Sequence, residues 1–135
     1  DRLVVAIGQN PSKNYVFSTE ERIDLLRSSI PSCERLTITH FDNRYLVDYA
    51  KEVGAEFILR GIRSSGDYEY ERVMRHINSD MAPDINTVFL MPPREMAELS
   101  SSMVMGMVGP EGWGKTVRRY LPSPVFDALV TKHSQ

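Results

Sequence analysis

Four short apolar runs punctuate the chain: L-V-V-A-I at 3–7, a β-branched stretch at 35–41, E-F-I-L at 56–59 and T-V-F-L-M at 87–91. Runs of this length and β-branched content read as buried strands. A helix-patterned segment follows each. Ser18-Thr19-Glu20-Glu21 is an S-x-x-E capping box, and Ile23, Leu26 and Ile30 then recur at helical spacing until Pro31. Residues 46–53 form a second helix, ended by Gly54. Residues 67–81 form a third, polar helix, closed by Ala82-Pro83-Asp84. Residues 100–108 are a fourth. Residues 123–133 are the last, with Pro124 in the first turn. Strand and helix alternating four times predict an α/β fold: a doubly wound parallel sheet with helices on both faces, one domain over 1–135. Right-handed crossovers then bring the carboxyl ends of the strands to one edge, where ligands bind in such sheets.

The residues expected at that edge are cationic. Pro11-Ser12-Lys13 follows the first strand, Arg60-Gly61-Ile62-Arg63 the third, and Pro92-Pro93-Arg94 the fourth, with Leu99-Ser100-Ser101-Ser102 beyond. The chain as a whole has 16 Lys and Arg against 18 Asp and Glu, a net charge of −2. An acidic chain that gathers cations on one edge points to a small anionic ligand, phosphate first. Two arginines three apart can both turn toward one phosphate chain, and the serine cluster caps a helix whose first N–H groups suit an anion. The same net charge argues against duplex nucleic acid as a partner. No apolar stretch is long enough for a membrane span. One cysteine, Cys33, excludes an internal disulfide framework and fits a reducing, cytoplasmic setting. His40, His76 and His133 make no zinc spacing. Asp67, Glu71 and Arg75 read as ordinary i,i+4 pairing on an exposed helix face.

Residues 109–116, G-P-E-G-W-G-K-T, fit the Walker A pattern G-x-x-x-x-G-K-[ST]. That motif requires a strand before it, a helix after it, and an acid at the end of a later strand. Beyond Thr116 the one acid is Asp127, inside a helical pattern. The stretch therefore reads as a glycine-rich surface turn between two helices.

Taken in order, N-P-S-K (10–13), F-S-T-E-E-R (17–22), L-V-D-Y-A (46–50), R-G-I-R-x-x-x-D-Y-E-Y-E (60–71), A-P (82–83), T-V-F-L-M-P (87–92) and L-S-S-S (99–102) make a specific set. In these blocks the chain resembles the phosphopantetheine adenylyltransferases of the nucleotidyltransferase superfamily, well to about Val108 and loosely beyond. The resemblance implies a Rossmann-like fold and transfer of AMP from ATP to 4′-phosphopantetheine with Mg²⁺, giving dephospho-coenzyme A and pyrophosphate. It implies a homohexamer, with dephospho-coenzyme A or coenzyme A as product or inhibitor. It also implies roles. Lys13 and Arg60 would contact phosphopantetheine, Leu46 through its backbone, with Met74 and Asn78 beside the pantetheine arm. Gly61, Ile62, Arg63 and Glu71 would serve ATP, as would Met96, Ala97, Glu98, Leu99, Ser100, Ser101 and Ser102. Lys13 and Arg63 would be the catalytic pair.

The resemblance also implies a first strand and a T-x-G-H phosphate loop, neither of which this sequence contains. The expectation is an amino-terminally incomplete domain that binds weakly and turns over poorly. Rival readings are a related nucleotidyltransferase with another substrate, a non-catalytic nucleotide-binding remnant, and a P-loop ATPase.

Overall fold

A computed structural model describes residues 1–10 and 12–134; Pro11 of the N-P-S-K block lies outside them. The elements run β1 (Leu3–Gly8), α1 (Thr19–Ser29), β2 (Leu36–Phe41), α2 (Leu46–Glu52), β3 (Phe57–Gly61), α3 (Ser65–Met81), β4 (Asn86–Leu90), α4 (Ser101–Gly106), α5 (Trp113–Val117) and α6 (Ser123–His133). Short 3-10 turns cover Arg94–Met96 and Arg118–Tyr120. The strand–helix alternation expected from the sequence is present, and both strand pairs are parallel. No described helix is long and apolar enough to cross a membrane.

These parallel strands alternating with helices are those of the Rossmann-like α/β fold expected, and each unit carries one parallel ladder. Among the described residues β1 pairs only with β2, from Leu3 opposite Leu36 to Gly8 opposite Phe41. β3 pairs only with β4, from Phe57 opposite Asn86 to Gly61 opposite Leu90. Each ladder belongs to its own compact unit, one comprising Asp1–Asn43 with Ser100–Gln135, the other Arg44–Leu99.

In the first unit α1 begins at a closed capping box. The Ser18 hydroxyl accepts from the Glu21 N–H at 3.2 Å, and the Ser18 N–H donates to the Glu21 carboxylate at 2.7 Å. The helix ends before Pro31, with the Ile30 N–H closing on Leu26. Ile23 of α1 is buried, as are Phe126 and Leu129 of α6. α6 packs on α1, and Lys132 of α6 donates to the Glu21 carboxylate at 2.8 Å. Trp113 stacks at a tilt on Phe126, so α5 is pinned to α6. Gly8 has a steric reason: a Cβ there would meet the Phe41 ring at 2.9 Å.

In the second unit Val47 and Ala50 of α2, Ile58 of β3, and Ala82 and Ile85 after α3 form the core. Fully burying such a side chain contributes roughly 1.5–3 kcal/mol for the branched ones. Gly54 takes φ +68° after α2, the left-handed turn expected of a helix-ending glycine. β3 and β4 are not buried on both faces. Ile58 points into the core, while Phe57, Leu59, Val88 and Leu90 are exposed. A continuous apolar run does not reveal which face is covered, because side chains alternate along it.

Candidate active site

The first unit carries Lys13 in the loop between β1 and α1. The Asn10 side-chain carbonyl accepts from the Ser12 N–H and hydroxyl, and the Lys13 N–H donates to the Asn10 carbonyl, so the loop folds back tightly. It borders an open cleft of about 690 Å³ whose lining includes Gln9, Asn10, Lys13, Tyr15, Arg22 and Lys132. The Gln9 amide donates to Thr19 at 2.7 Å, and the Arg22 guanidinium sits 4.1 Å over the Tyr15 ring. Among the described residues three cations line the cleft against one acid, Glu21. That carboxyl is held below its ordinary range, first by Lys132 and then by the Ser18 N–H. An anion is the ligand such a lining suits.

Ser100, Ser101 and Ser102 belong to the same unit. Ser100 is the cap, its hydroxyl accepting from the Met103 N–H at 3.1 Å, and α4 then runs for only six residues. Ser101 and Ser102 are exposed.

The second unit carries the two arginines. The sequence reading placed Arg60 and Gly61 in the exit after the third strand. The structure places them inside β3, opposite Phe89 and Leu90, because β4 extends the ladder to that point. The Ile62 N–H continues the register by donating to Leu90. Arg60 is held by Glu71 of α3 in a two-pronged pair, Nε and Nη2 to the two carboxylate oxygens at 2.9 and 2.6 Å. Glu71 is buried and Arg60 half-buried. The Glu71 bond raises the Arg60 pKa, outweighing the opposite effect of burial. Removing Arg60 leaves a buried acceptor unsatisfied, a loss of about 1–3 kcal/mol.

Arg63 is held differently. One oxygen of Asp67 accepts both the Arg63 N–H at 3.1 Å and its Nε at 3.0 Å, and Nη1 donates to the Leu99 carbonyl at 2.8 Å. The Asp67 carboxyl is held below its ordinary range, chiefly by the Arg63 side chain. These contacts correct the expected helix-face pairing of Asp67, Glu71 and Arg75. Glu71 is buried, and both acids reach back to β3 and its exit rather than along α3. The i,i+4 spacing that suggested the pairing is what puts both carboxylates on one face of α3.

The remaining candidates in this unit are spread along it. Leu46 opens α2 and packs on the core. Met74 and Asn78 lie one turn apart on α3, Asn78 buried and Met74 partly so. Met96, Ala97, Glu98 and Leu99 descend from the 3-10 turn, with the Leu99 N–H donating to Met96. Met96 and Glu98 are exposed, Gly61 is exposed and Ile62 partly buried. Asp67 is the contact that sequence reasoning missed as a site residue. Its signal was present, because Ser64 and Asp67 form an S-x-x-D cap.

The Walker A pattern does not fold as a phosphate loop. Helix α4 precedes it, and Gly114, Lys115 and Thr116 lie within α5. The described residues bear out a glycine-rich stretch between helices, with α5 as an addition the sequence reading did not foresee.

As for a resident metal, the described residues hold no group of three or more His, Cys, Asp or Glu that could bind one. The acids nearest the arginines are engaged by them.

Comparison with known proteins closes the question of kinship. The cytidylyltransferase-like family model matches residues 1–106. The phosphopantetheine adenylyltransferase of Chromobacterium violaceum is 52% identical over 135 residues, covering 100% of this chain and 82% of its own length. That of Neisseria meningitidis serogroup C is 56% identical over 133 residues, covering 98% of this chain and 78% of its own. That of Alkaliphilus metalliredigens is 36% identical over 132 residues, with 98% and 82% covered. The likeness thus runs past Val108 through α5 and α6. Identity at this level over nearly the whole chain means that the chain belongs to the phosphopantetheine adenylyltransferases, within the cytidylyltransferase-like nucleotidyltransferases.

Proposed function

We infer that this chain transfers the adenylyl group of ATP to 4′-phosphopantetheine, giving dephospho-coenzyme A and pyrophosphate, a step of coenzyme A biosynthesis. The observation that carries this is the 52–56% identity to proteins of that name over nearly the whole chain. The chemistry of the two units is in keeping with it. A phosphate oxygen of phosphopantetheine forms a bond to the α-phosphorus of ATP. The bond from that phosphorus to the bridging oxygen breaks, and pyrophosphate leaves with the electron pair. The attacking oxygen is already anionic, so no general base and no covalent enzyme intermediate are needed. Positioning and charge stabilisation do the catalysis.

The residue roles are part of the proposal. Lys13 binds the phosphopantetheine phosphate, Arg60 is a second contact to that substrate, Leu46 contacts it through its backbone, and Met74 and Asn78 border its arm. Gly61, Ile62, Arg63, Glu71 and residues 96–102 serve ATP, with Arg63 on the triphosphate. Mg²⁺ enters as part of the nucleotide, coordinated by triphosphate oxygens, since it binds phosphates readily with few protein ligands. Cytoplasmic residence, a hexameric assembly, and coenzyme A as inhibitor complete the reading.

The test is pyrophosphate release from the purified protein with ATP, Mg²⁺ and 4′-phosphopantetheine, against omission of each. Release that requires both organic substrates is expected. Release from ATP without phosphopantetheine would sink the reading.

A further inference from the structure

Asp67 stands at the third position of α3, where an acid ordinarily completes a capping box by accepting the N–H of the capping residue. Half of that box exists: the Ser64 hydroxyl accepts from the Asp67 N–H at 3.2 Å. The other half is redirected. The Asp67 carboxylate passes over Ser64 and accepts from Arg63, through main chain and side chain on a single oxygen. The contact at Nε fixes the plane of the guanidinium, and Nη1 is fixed at Leu99. What remains unengaged among the described contacts is the Nη2 end.

We propose that Asp67 is a positioning residue for adenylyl transfer, orienting Arg63 so that its free end meets the triphosphate and tying it to the segment around Leu99. This rests on the reading that Arg63 serves ATP. A flexible arginine loses rotamer freedom when it engages a phosphate. One already held at Nε and Nη1 has lost that freedom beforehand. Glu71 holds Arg60 at Nε and Nη2 with both of its oxygens, whereas Asp67 holds Arg63 with a single oxygen, so the two acids of α3 grip their arginines differently.

Steady-state kinetics of Asp67→Ala, Arg63→Ala, the double variant and Ser64→Ala separate the outcomes. Asp67→Ala is expected to lower kcat/KM for ATP about tenfold, the scale of one charge-assisted hydrogen bond. KM for 4′-phosphopantetheine stays unchanged, and the double variant is no worse than Arg63→Ala alone. Asp67→Asn keeps an acceptor without the charge and is expected to fall between; it also carries the comparison if the alanine variant does not fold. If Arg63→Ala impairs ATP use and neither Asp67 variant does, Asp67 does not position it. If Ser64→Ala reproduces the Asp67→Ala kinetics, the acid is only a helix cap. If Arg63→Ala leaves kcat/KM for ATP unchanged, the role of Arg63 itself fails and the proposal goes with it.

Discussion

At the start of α1, Ser18 and Glu21 bond to each other, and the remaining capacity of Glu21 goes to Lys132 of α6. At the start of α3, Ser64 caps Asp67 in the same way, yet the Asp67 carboxylate leaves the cap and goes to Arg63. Both helices satisfy an orphan N–H with a serine three residues before an acid. The first spends its acid on holding helix to helix, the second on holding a cation still. The acid at this position is thus free to serve stability or orientation, and the cap pattern alone does not say which.

The largest effect expected is at the functional half of this comparison. Arg63→Ala should lower kcat/KM for ATP by about 10²–10³-fold, the scale of losing one preorganised donor to a transition state. Its folding stability should fall by no more than about 1 kcal/mol, because a solvent-accessible ion pair contributes little. Wild-type kinetics for this variant would erase the functional distinction between the two helix starts.

Next come the caps themselves, where the two helices should behave alike. Ser18→Ala and Ser64→Ala should each cost about 1 kcal/mol in urea denaturation. Neither should change KM for ATP, since neither hydroxyl touches the arginine. A Ser64→Ala loss much greater than that of Ser18→Ala would mean that α3 depends on its cap in a way α1 does not.

The acids should separate again by pH. Glu21 and Asp67 both have folded pKa values below their ordinary ones, held there chiefly by Lys132 and Arg63 respectively. A depressed folded pKa means stability that is present above the unfolded value and lost as pH falls through the folded one. Stability should therefore decline below about pH 4–5. Glu21→Gln should be less stable than the parent at neutral pH and show a shallower acid decline, with ATP kinetics intact. Asp67→Asn should flatten the same limb while also weakening ATP use. Denaturation across pH, paired with kinetics at neutral pH, reads both. A Glu21→Gln variant with impaired ATP use would break the contrast.

How much of this was legible in the sequence varies by kind of signal. Local chemistry was readable: the S-x-x-E of α1, the stop at Pro31, Gly54 after α2, and the span of α6 all came from short-range rules. The start of α3 was read two residues late, because Gly66 beside two serines resembles a loop while Ser64 is in fact its cap. Pairing was not readable. That Arg60 and Gly61 lie within β3 depends on β4 standing opposite them, a tertiary fact. In the candidate site, the cations were found by their place after apolar runs. Their partners were not, since Glu71 lies eleven residues from Arg60 and only the crossover of α3 brings them together.

The smallest effect belongs to a third helix start, which has neither device. α5 follows Gly112 at φ +77° with no side-chain cap and no acid in its first turn. Lys115 is exposed there and, among the described contacts, makes no ion pair. If cations in this chain act on nucleotide only where an acid holds them, an unheld lysine inside a five-residue helix should contribute nothing. Lys115→Ala should leave pyrophosphate release within about twofold and stability within about 0.5 kcal/mol of the parent. A tenfold loss of ATP-dependent turnover in this variant would place the nucleotide at the G-x-x-x-x-G-K-T stretch instead. The holding of Arg63 by Asp67 would then be a structural cap like that of α1, and the two helix starts would no longer differ in kind.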